Sequence, residues 1–201
     1  MSGIIAQNTL LSSGLIKAPA GGGAWTFISK QTASSSSTLS FTSGIDSTYD
    51  EYVFTFKNIH PSNDAVHFHF NFSIDSGSNY NVTKTTSMFR SWHKEDDSAV
   101  ALAYDSGYDL GESTAFQPLA QEQSSDNDEA CSGTMHLFDP SSTTFIKHYT
   151  STLNMVNGEP MPMIMYGSGY GNTTSAVDAI QFKMSAGNID AGDICLYGIS
   201  S

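Results

Sequence analysis

Two histidines spaced two residues apart are the first candidates for chemistry in this sequence. His67 and His69 alternate with three phenylalanines in the segment 67–72. Residues two apart on a β-strand project from the same face, and two imidazoles can bind one metal ion. Two ligands do not complete a site, and the sequence places no third ligand beside them. The pattern therefore favours an ordinary outer sheet face over a metal site.

An acidic run at residues 125–129 is the second candidate. Asp126, Asp128 and Glu129 offer the carboxylate oxygens that calcium prefers. The run lacks the twelve-residue loop pattern with a central glycine and a distal glutamate. A solvated loop is the favoured interpretation.

No pattern typical of an active site is found. The sequence has no Gly-x-Ser-x-Gly elbow and no recognisable carboxylate pair for glycoside cleavage. The glycine-rich segment 167–171 lacks the lysine and the following helix of a phosphate-binding loop, so it is interpreted as a turn. We therefore expect no catalytic residue, no cofactor and no enzymatic activity.

The two cysteines, Cys131 and Cys195, lie far apart and show no Cys-x-x-Cys spacing. That spacing is what redox motifs and thiolate metal sites require. Free cysteine is among the residues most often buried in proteins. The sequence therefore predicts two buried free thiols.

The charge balance excludes one class of partner. The chain carries 8 basic and 20 acidic residues, a formal net charge of −12. A nucleic-acid binder must neutralise phosphates with Lys and Arg, so DNA and RNA are not expected ligands. The sequence also has no apolar run of membrane-spanning length and no secretory signal pattern. We expect no membrane partner and assembly in a cytoplasm.

Short alternating segments separated by turn residues predict an all-β fold. Apolar side chains recur at every second position in Ala176–Met184, with Ile180, Phe182 and Met184 on one face. Such strands indicate a two-sheet antiparallel β-sandwich, jelly-roll-like, spanning residues 25–201 as one domain. Further strands are expected at 25–28, 38–41, 52–56, 67–74, 80–92, 135–138, 145–149 and 194–199.

Three connecting regions carry further expectations. The strands at 25–28 and 38–41 suggest a hairpin-like start, and the polar segments 93–97 and 111–130 predict surface loops. The segment 155–171 is rich in methionine and proline. Its methionines either face a partner, since such surfaces adapt readily, or fill an irregular core edge.

Residues 1–24 differ from the rest and predict an extended N-terminal arm. No strand or helix period holds there, and the segment ends in a proline and a triple glycine. We expect its apolar pairs to dock on a neighbouring protein or on another copy of the chain. The alternative is a tail without a docking role. The candidate docking residues are Ile4, Ile5, Leu10, Leu11, Leu15 and Ile16.

The C-terminal sequence resembles that of small virion proteins of tailed bacteriophages, common in marine phages. Their ending, Ser-x-Gly-Asn-Ile-x-x-Gly followed by Leu-Tyr-Gly-Ile, is present here at 185–192 and 196–199. The segments 21–28, 41–52 and 58–62 also look like that group. The resemblance implies a β-sandwich module of a phage particle. It leaves open whether the module sits on the capsid, in the tail or on a fibre.

Two functions follow from this resemblance. The first is a capsid decoration or cement protein, which would contact the major capsid protein or tail proteins and copies of itself, as a homotrimer. The second is a receptor-binding module of a tail fibre or spike that recognises host glycan. Its platform would be Trp92, Tyr104 and Tyr108. The absence of a repeat-rich shaft favours the first.

Overall fold

The computed structural model describes residues 24–159 and 161–200, which contain twelve β-strands and no helix. No helix in these ranges could therefore cross a membrane. The candidate docking residues of the N-terminal arm, Ile4, Ile5, Leu10, Leu11, Leu15 and Ile16, lie outside the described residues. The strands are β1 (Trp25–Thr32), β2 (Leu39–Phe41), β3 (Glu51–Pro61), β4 (Val66–Ser73), β5 (Lys84–His93), β6 (Val100–Tyr104), β7 (Gln117–Gln123), β8 (Cys131–Phe138), β9 (Lys147–Val156), β10 (Pro162–Gly171), β11 (Ala179–Met184) and β12 (Ile189–Ile199).

The strands form two antiparallel sheets that pack together. The large sheet has eight strands in the order β1-β12-β3-β8-β9-β10-β5-β6, and the small sheet has four in the order β2-β11-β4-β7. Their inner faces bury one apolar core that draws on both sheets. The predicted all-β, two-sheet antiparallel sandwich is confirmed.

Period-two alternation creates the inner faces. In β11, Ile180, Phe182 and Met184 are buried, whereas Gln181 and Lys183 are only partly covered. In β4, Phe68, Phe70 and Phe72 are fully buried. Because successive side chains point to opposite faces of the sheet, these strands turn one apolar face toward the core.

Phe182 is the aromatic centre of that core. Its ring lies 5.4 Å from the ring of Phe54 and 5.3 Å from that of Phe56, both on β3 of the large sheet. It also stacks on Phe68 at 5.7 Å and meets Phe41 edge-on at 6.2 Å, both in the small sheet. Two of these four ring contacts, those with Phe54 and Phe56, cross from the small sheet to the large sheet.

The chain alternates between the sheets at most steps. Strands β1, β3, β8 and β12 lie side by side in the large sheet, opposite β2, β4, β7 and β11. The pairs β5–β6 and β9–β10 both extend the large sheet. The predicted hairpin-like start is wrong, because β1 and β2 belong to different sheets. The connection at 33–38 crosses from one sheet to the other instead of turning back.

The predicted surface loop at 111–130 is wrong in its centre. Strand β7 runs there as a strand of the small sheet, with Gln117, Gln121 and Gln123 fully buried. Gln117 accepts a hydrogen bond from the Thr86 hydroxyl and donates one to the carbonyl oxygen of Tyr108. Hydrogen bonds of this kind satisfy the Gln117 amide in the interior of the sandwich.

The predicted turn at 167–171 is also wrong, because these residues belong to strand β10 (Pro162–Gly171). Strand β10 pairs with β9 on one side and β5 on the other, and Met163 and Met165 are buried in the core. The core interpretation of these methionines is therefore the one observed. At Gly169, a Cβ atom would lie 2.5 Å from the carbonyl oxygen of Thr85. This glycine lets neighbouring strands approach where a side chain would clash.

The two cysteines differ in their surroundings. Cys131 is fully buried and its thiol pKa is raised to about 12 by desolvation, whereas Cys195 is only partly buried. Both thiols are free, but the prediction of burial is correct for Cys131 alone. Cys195 lies on the outer face of β12, opposite the buried Ile194 and Leu196.

Truncating the aromatic centre should destabilise the whole sandwich. We expect Phe182→Ala to lower the free energy of unfolding by about 3–5 kcal/mol, because it removes a buried ring and leaves a cavity between the sheets. Phe145→Ala is the matched control, since the Phe145 side chain is 68% exposed. It should stay within about 0.5 kcal/mol of the parent. Urea unfolding followed by tryptophan fluorescence measures both, and equal destabilisation by the two variants would contradict the assignment.

Candidate functional site

The two histidines of the sequence pattern lie on the outer face of the small sheet. Their rings stack with centroids 5.9 Å apart, and the ring of Tyr108 meets His67 edge-on at 5.0 Å. His67 Nδ1 accepts a hydrogen bond from the backbone N–H of Glu122 at 3.0 Å. Within the described ranges, no group of three or more His, Cys, Asp or Glu side chains converges as metal ligands. The pair belongs to a packed sheet face.

Burial lowers the pKa of both imidazoles and so favours their neutral forms. Desolvation lowers the pKa of His67, although the nearby Glu122 carboxylate opposes this. The pKa of His69 is lowered to about 4, because of desolvation first and Coulombic repulsion from His67 and Lys183 second. Lys183 itself packs 4.1 Å above the ring of Phe116.

The acidic loop at 125–129 is held by a carboxylate outside it. Asp64 Oδ1 accepts hydrogen bonds from the backbone N–H of Ser125 at 2.8 Å and from the Ser125 hydroxyl at 2.7 Å. These bonds lower the pKa of Asp64. The imidazole Nε2 of His60 lies 3.1 Å from the carbonyl oxygen of Asp126. Hydrogen bonds with Asp64 and His60 therefore hold this loop in place.

The three aromatic residues proposed as a recognition platform do not share one surface. Trp92 lies on the inner face of β5 and packs against the core. Tyr104 is 58% exposed on the opposite face of the same sheet, and Tyr108 lies in the β6–β7 connection against His67. The structure does not bring these three side chains together.

The outer face of the large sheet instead carries an exposed apolar surface on strands β5, β6 and β10. We name it the hairpin patch. Its centre is the row Val100, Leu102 and Tyr104 on β6, which are 66%, 75% and 58% exposed. Tyr104 pairs with Phe89 of β5, whose ring stacks on Tyr166 of β10 at 4.8 Å. The complete patch comprises Phe89, Val100, Leu102, Tyr104, Ile164 and Tyr166.

A second exposed cluster, the aromatic strip, lies at the other end of the same outer face. Trp25 and Phe27 on the edge strand β1 are 47% and 57% exposed and both contact the ring of Tyr197, at 5.5 and 5.7 Å. Trp25 also meets His136 edge-on at 6.3 Å. His136 stacks on Phe138, which completes the strip. Its residues are Trp25, Phe27, His136, Phe138 and Tyr197.

A polar pair lies within the aromatic strip. His136 Nδ1 is 2.5 Å from the Glu51 carboxylate, and both side chains are about one-third exposed or less. The pair fixes the orientation of the imidazole that Trp25 and Phe138 contact. The strip therefore combines exposed ring faces with a hydrogen-bonding edge.

Both surfaces are exposed apolar areas on the outer face of the large sheet. Contiguous exposed apolar areas on a folded domain mark contacts with other molecules. The sequence reasoning missed both clusters as units. The signal for the first was present in Val100, Leu102 and Tyr104, an alternating apolar row beside a short charged turn. The second depends on the pairing of β1 with β12 and on the position of β8 in the sheet, which no local pattern reports.

Comparison of the sequence with protein-family models finds no match, and comparison with curated proteins finds none either.

The buried histidine makes a prediction about acid stability. The pKa of His69 is about 4 in the folded chain and 6.5 when unperturbed. The unfolded chain therefore binds more protons between these values, and stability falls as pH drops from 6.5 to 4. In His69→Gln this fall in stability should shrink by roughly 2 kcal/mol, a value reduced from the full shift because the ring is partly exposed.

The measurement is urea unfolding of both proteins at pH 7.5, 6.0, 5.0 and 4.0. At pH 7.5 His69 is neutral in both the folded and the unfolded chain, so the difference in stability there reports the packing of the ring and not its titration. Parallel pH curves for the two proteins would show that His69 titrates normally.

Proposed function

We propose that this chain is a non-enzymatic structural protein of a bacteriophage virion, acting as a capsid decoration or cement protein. The observation that carries the proposal is the outer face of the large sheet. It holds two exposed apolar surfaces, the hairpin patch and the aromatic strip, at opposite ends. This arrangement suits a protein that contacts neighbouring molecules on two sides.

The strand order supports the proposal. If the β5–β6 and β9–β10 extensions are set aside, eight strands remain, four in each sheet, in the orders β1-β12-β3-β8 and β2-β11-β4-β7. We infer that this is a jelly roll carrying two inserted extensions. Jelly rolls include viral capsid domains and lectin domains. This support is an analogy of fold, and the resemblance of the segments 185–192 and 196–199 to phage virion proteins adds to it.

The charge of the chain suits an outer position on a particle. A net charge of −12 keeps separate copies in solution and repels nucleic acid, so packaged DNA is not a favourable neighbour. Its partners would be the major capsid protein or tail proteins and further copies of the chain, after assembly in the host cytoplasm. The homotrimer expected from the sequence stays a prediction.

The aromatic strip favours a second candidate function, recognition of host glycan by a tail fibre or spike. Trp25 is 47% exposed and lies beside the hydrogen-bonded His136–Glu51 pair. A sugar ring can stack on an aromatic face while a neighbouring polar group binds its hydroxyls. If the chain binds glycan, this strip is a better platform than Trp92, Tyr104 and Tyr108, because its rings share one surface.

The copy number of the chain in purified particles tests the main proposal. We expect a ratio to the major capsid protein near one, or another large simple fraction, because cement proteins cover the shell. Quantitative mass spectrometry with isotope-labelled peptides of both proteins measures it. A few to a few tens of copies would overturn the capsid assignment and place the chain in the tail. Absence from the particle would overturn the virion role.

A glycan array tests the second candidate. If the chain is a receptor-binding module, the recombinant protein should bind a defined glycan, and Trp25→Ala should weaken that binding at least about tenfold, since the variant cannot stack on the sugar ring. Leu102→Ala is the control, because Leu102 is more exposed but lies in the hairpin patch. No specific binding by the parent protein would remove this candidate.

A further inference from the structure

The two sheets have four edge strands, and three of them are protected against pairing with another chain. Strand β1 has a register shift between Phe27 and Ser29, followed by Lys30. Strand β2 is only three residues long, and the Gln31 side chain amide donates to the backbone carbonyl of Ser40 within it. Strand β7 contains Pro118, and its pairing with β4 is interrupted twice. Bulges, charges, proline and short length are the devices that block edge-to-edge association.

Strand β6 has none of these protections. Its sequence, Val100–Tyr104, contains no charge and no proline, and its pairing with β5 runs without a register shift. An exposed, regular and apolar edge strand is a template for another strand. In a chain with a net charge of −12, the five residues of β6 carry no charge that would repel the same strand of a second copy.

The hydrogen-bond pattern shows which groups of β6 are free. In the β5–β6 register, the backbone N–H of Lys94 donates to the carbonyl of Ala99, and the N–H of Asp105 donates to that of Met88. Hydrogen-bonded pairs alternate with non-bonded pairs in an antiparallel ladder. Ala101 and Ala103 therefore point their backbone groups toward β5.

It follows that Val100, Leu102 and Tyr104 direct their N–H and C=O groups away from β5. Among the described residues, no backbone hydrogen bond from outside β5 reaches these three. Their side chains are the exposed centre of the hairpin patch. The open edge and the apolar row thus coincide at the same residues.

We propose that two copies of this chain pair through β6, antiparallel about a two-fold axis at Leu102, to join their large sheets into one. In this register Leu102 lies opposite Leu102 of the second copy, and Val100 lies opposite its Tyr104. All of these are hydrogen-bonded pairs, so every outward backbone group of both strands finds a partner. The interface is self-complementary, as a two-fold contact must be.

The same register joins the two hairpin patches. Because the two-fold axis is perpendicular to the sheet, both outer faces lie on the same side. Val100 of one copy then packs beside Tyr104 of the other, and the two Leu102 side chains pack together. The result is one continuous apolar surface twice the length of the original. The inference deepens the proposed function and rests on it for its biological meaning, although the edge geometry stands without it.

The test is the molar mass of the full chain in solution by sedimentation velocity, across the concentration range that its solubility allows. We expect a concentration-dependent dimer. Leu102→Pro removes the central outward N–H while leaving the β5–β6 ladder intact, and Leu102→Lys places a charge at the axis. Each should raise the dimer Kd at least about tenfold. Phe27→Lys is the matched control on the opposite edge and should leave the Kd unchanged.

Leu102→Lys keeps the test decisive should Leu102→Pro fail to fold, and thermal midpoints of all variants establish folding. A monomer at every concentration, a dimer insensitive to a folded Leu102 variant, or the homotrimer expected from the sequence in place of a dimer would overturn the inference. None of these outcomes bears on the copy number in the particle, so the proposed function would fail or survive separately.

Disulfide formation then tests the register in a Cys195→Ser background. Leu102→Cys should cross-link under mild oxidation, because Cα atoms of a hydrogen-bonded pair lie about 5.5 Å apart, within disulfide range. Val100→Cys alone should not, since its two copies are separated by four residues along the strand. A mixture of Val100→Cys and Tyr104→Cys chains should cross-link to each other. Cross-linking of Val100→Cys alone would overturn the register.

Discussion

The difference in width between the two sheets is the constraint on which the rest of this structure depends. Eight strands face four, so at about 4.8 Å per strand much of the large sheet extends beyond its partner. The core can close only if other segments cover the exposed inner face. The β6–β7 connection does this: Asp105 forms an ion pair with Arg90 at 3.2 Å, and Thr86 donates its backbone N–H to Leu110. The loops of the chain are therefore part of its packing.

Closing the sandwich in this way buries polar groups that need partners. Lys84 is fully buried and donates to the side-chain carbonyl of Asn71 and to the backbone carbonyl of Val82. Desolvation lowers its pKa to about 7. Asn71 in turn donates to the backbone carbonyls of Tyr80 and Thr114. The Asn71 amide and the Lys84 amine thus tie β4 and β5 to the β4–β5 and β6–β7 connections. Directional hydrogen bonds fix this geometry more closely than apolar contacts would.

The sequence predicts the parts of this fold that depend on local alternation. Strands β4 and β11 and the apolar face around Phe182 follow directly from period two. Strand β7 does not, because its buried face includes glutamines whose hydrogen-bond partners come from distant segments. Strand β10 was missed because Gly167 and Gly169 signal a turn locally but permit close strand approach in the sheet. The two exposed clusters were missed since sheet order, which assembles each of them, is a property of the whole chain.

The exposed clusters and the core place separate demands on the sequence. The core residues around Phe182 must fit their neighbours, and any change there costs stability. Three apolar side chains of the exposed clusters face solvent in the isolated chain: Val100, Leu102 and Trp25. Because folding buries little of their surface, they contribute little to the stability of the fold. Apolar residues at such positions gain stabilisation only when something else covers them. The open edge of this sandwich carries apolar side chains that folding does not need. This separation lets contacts between molecules change without disturbing the fold.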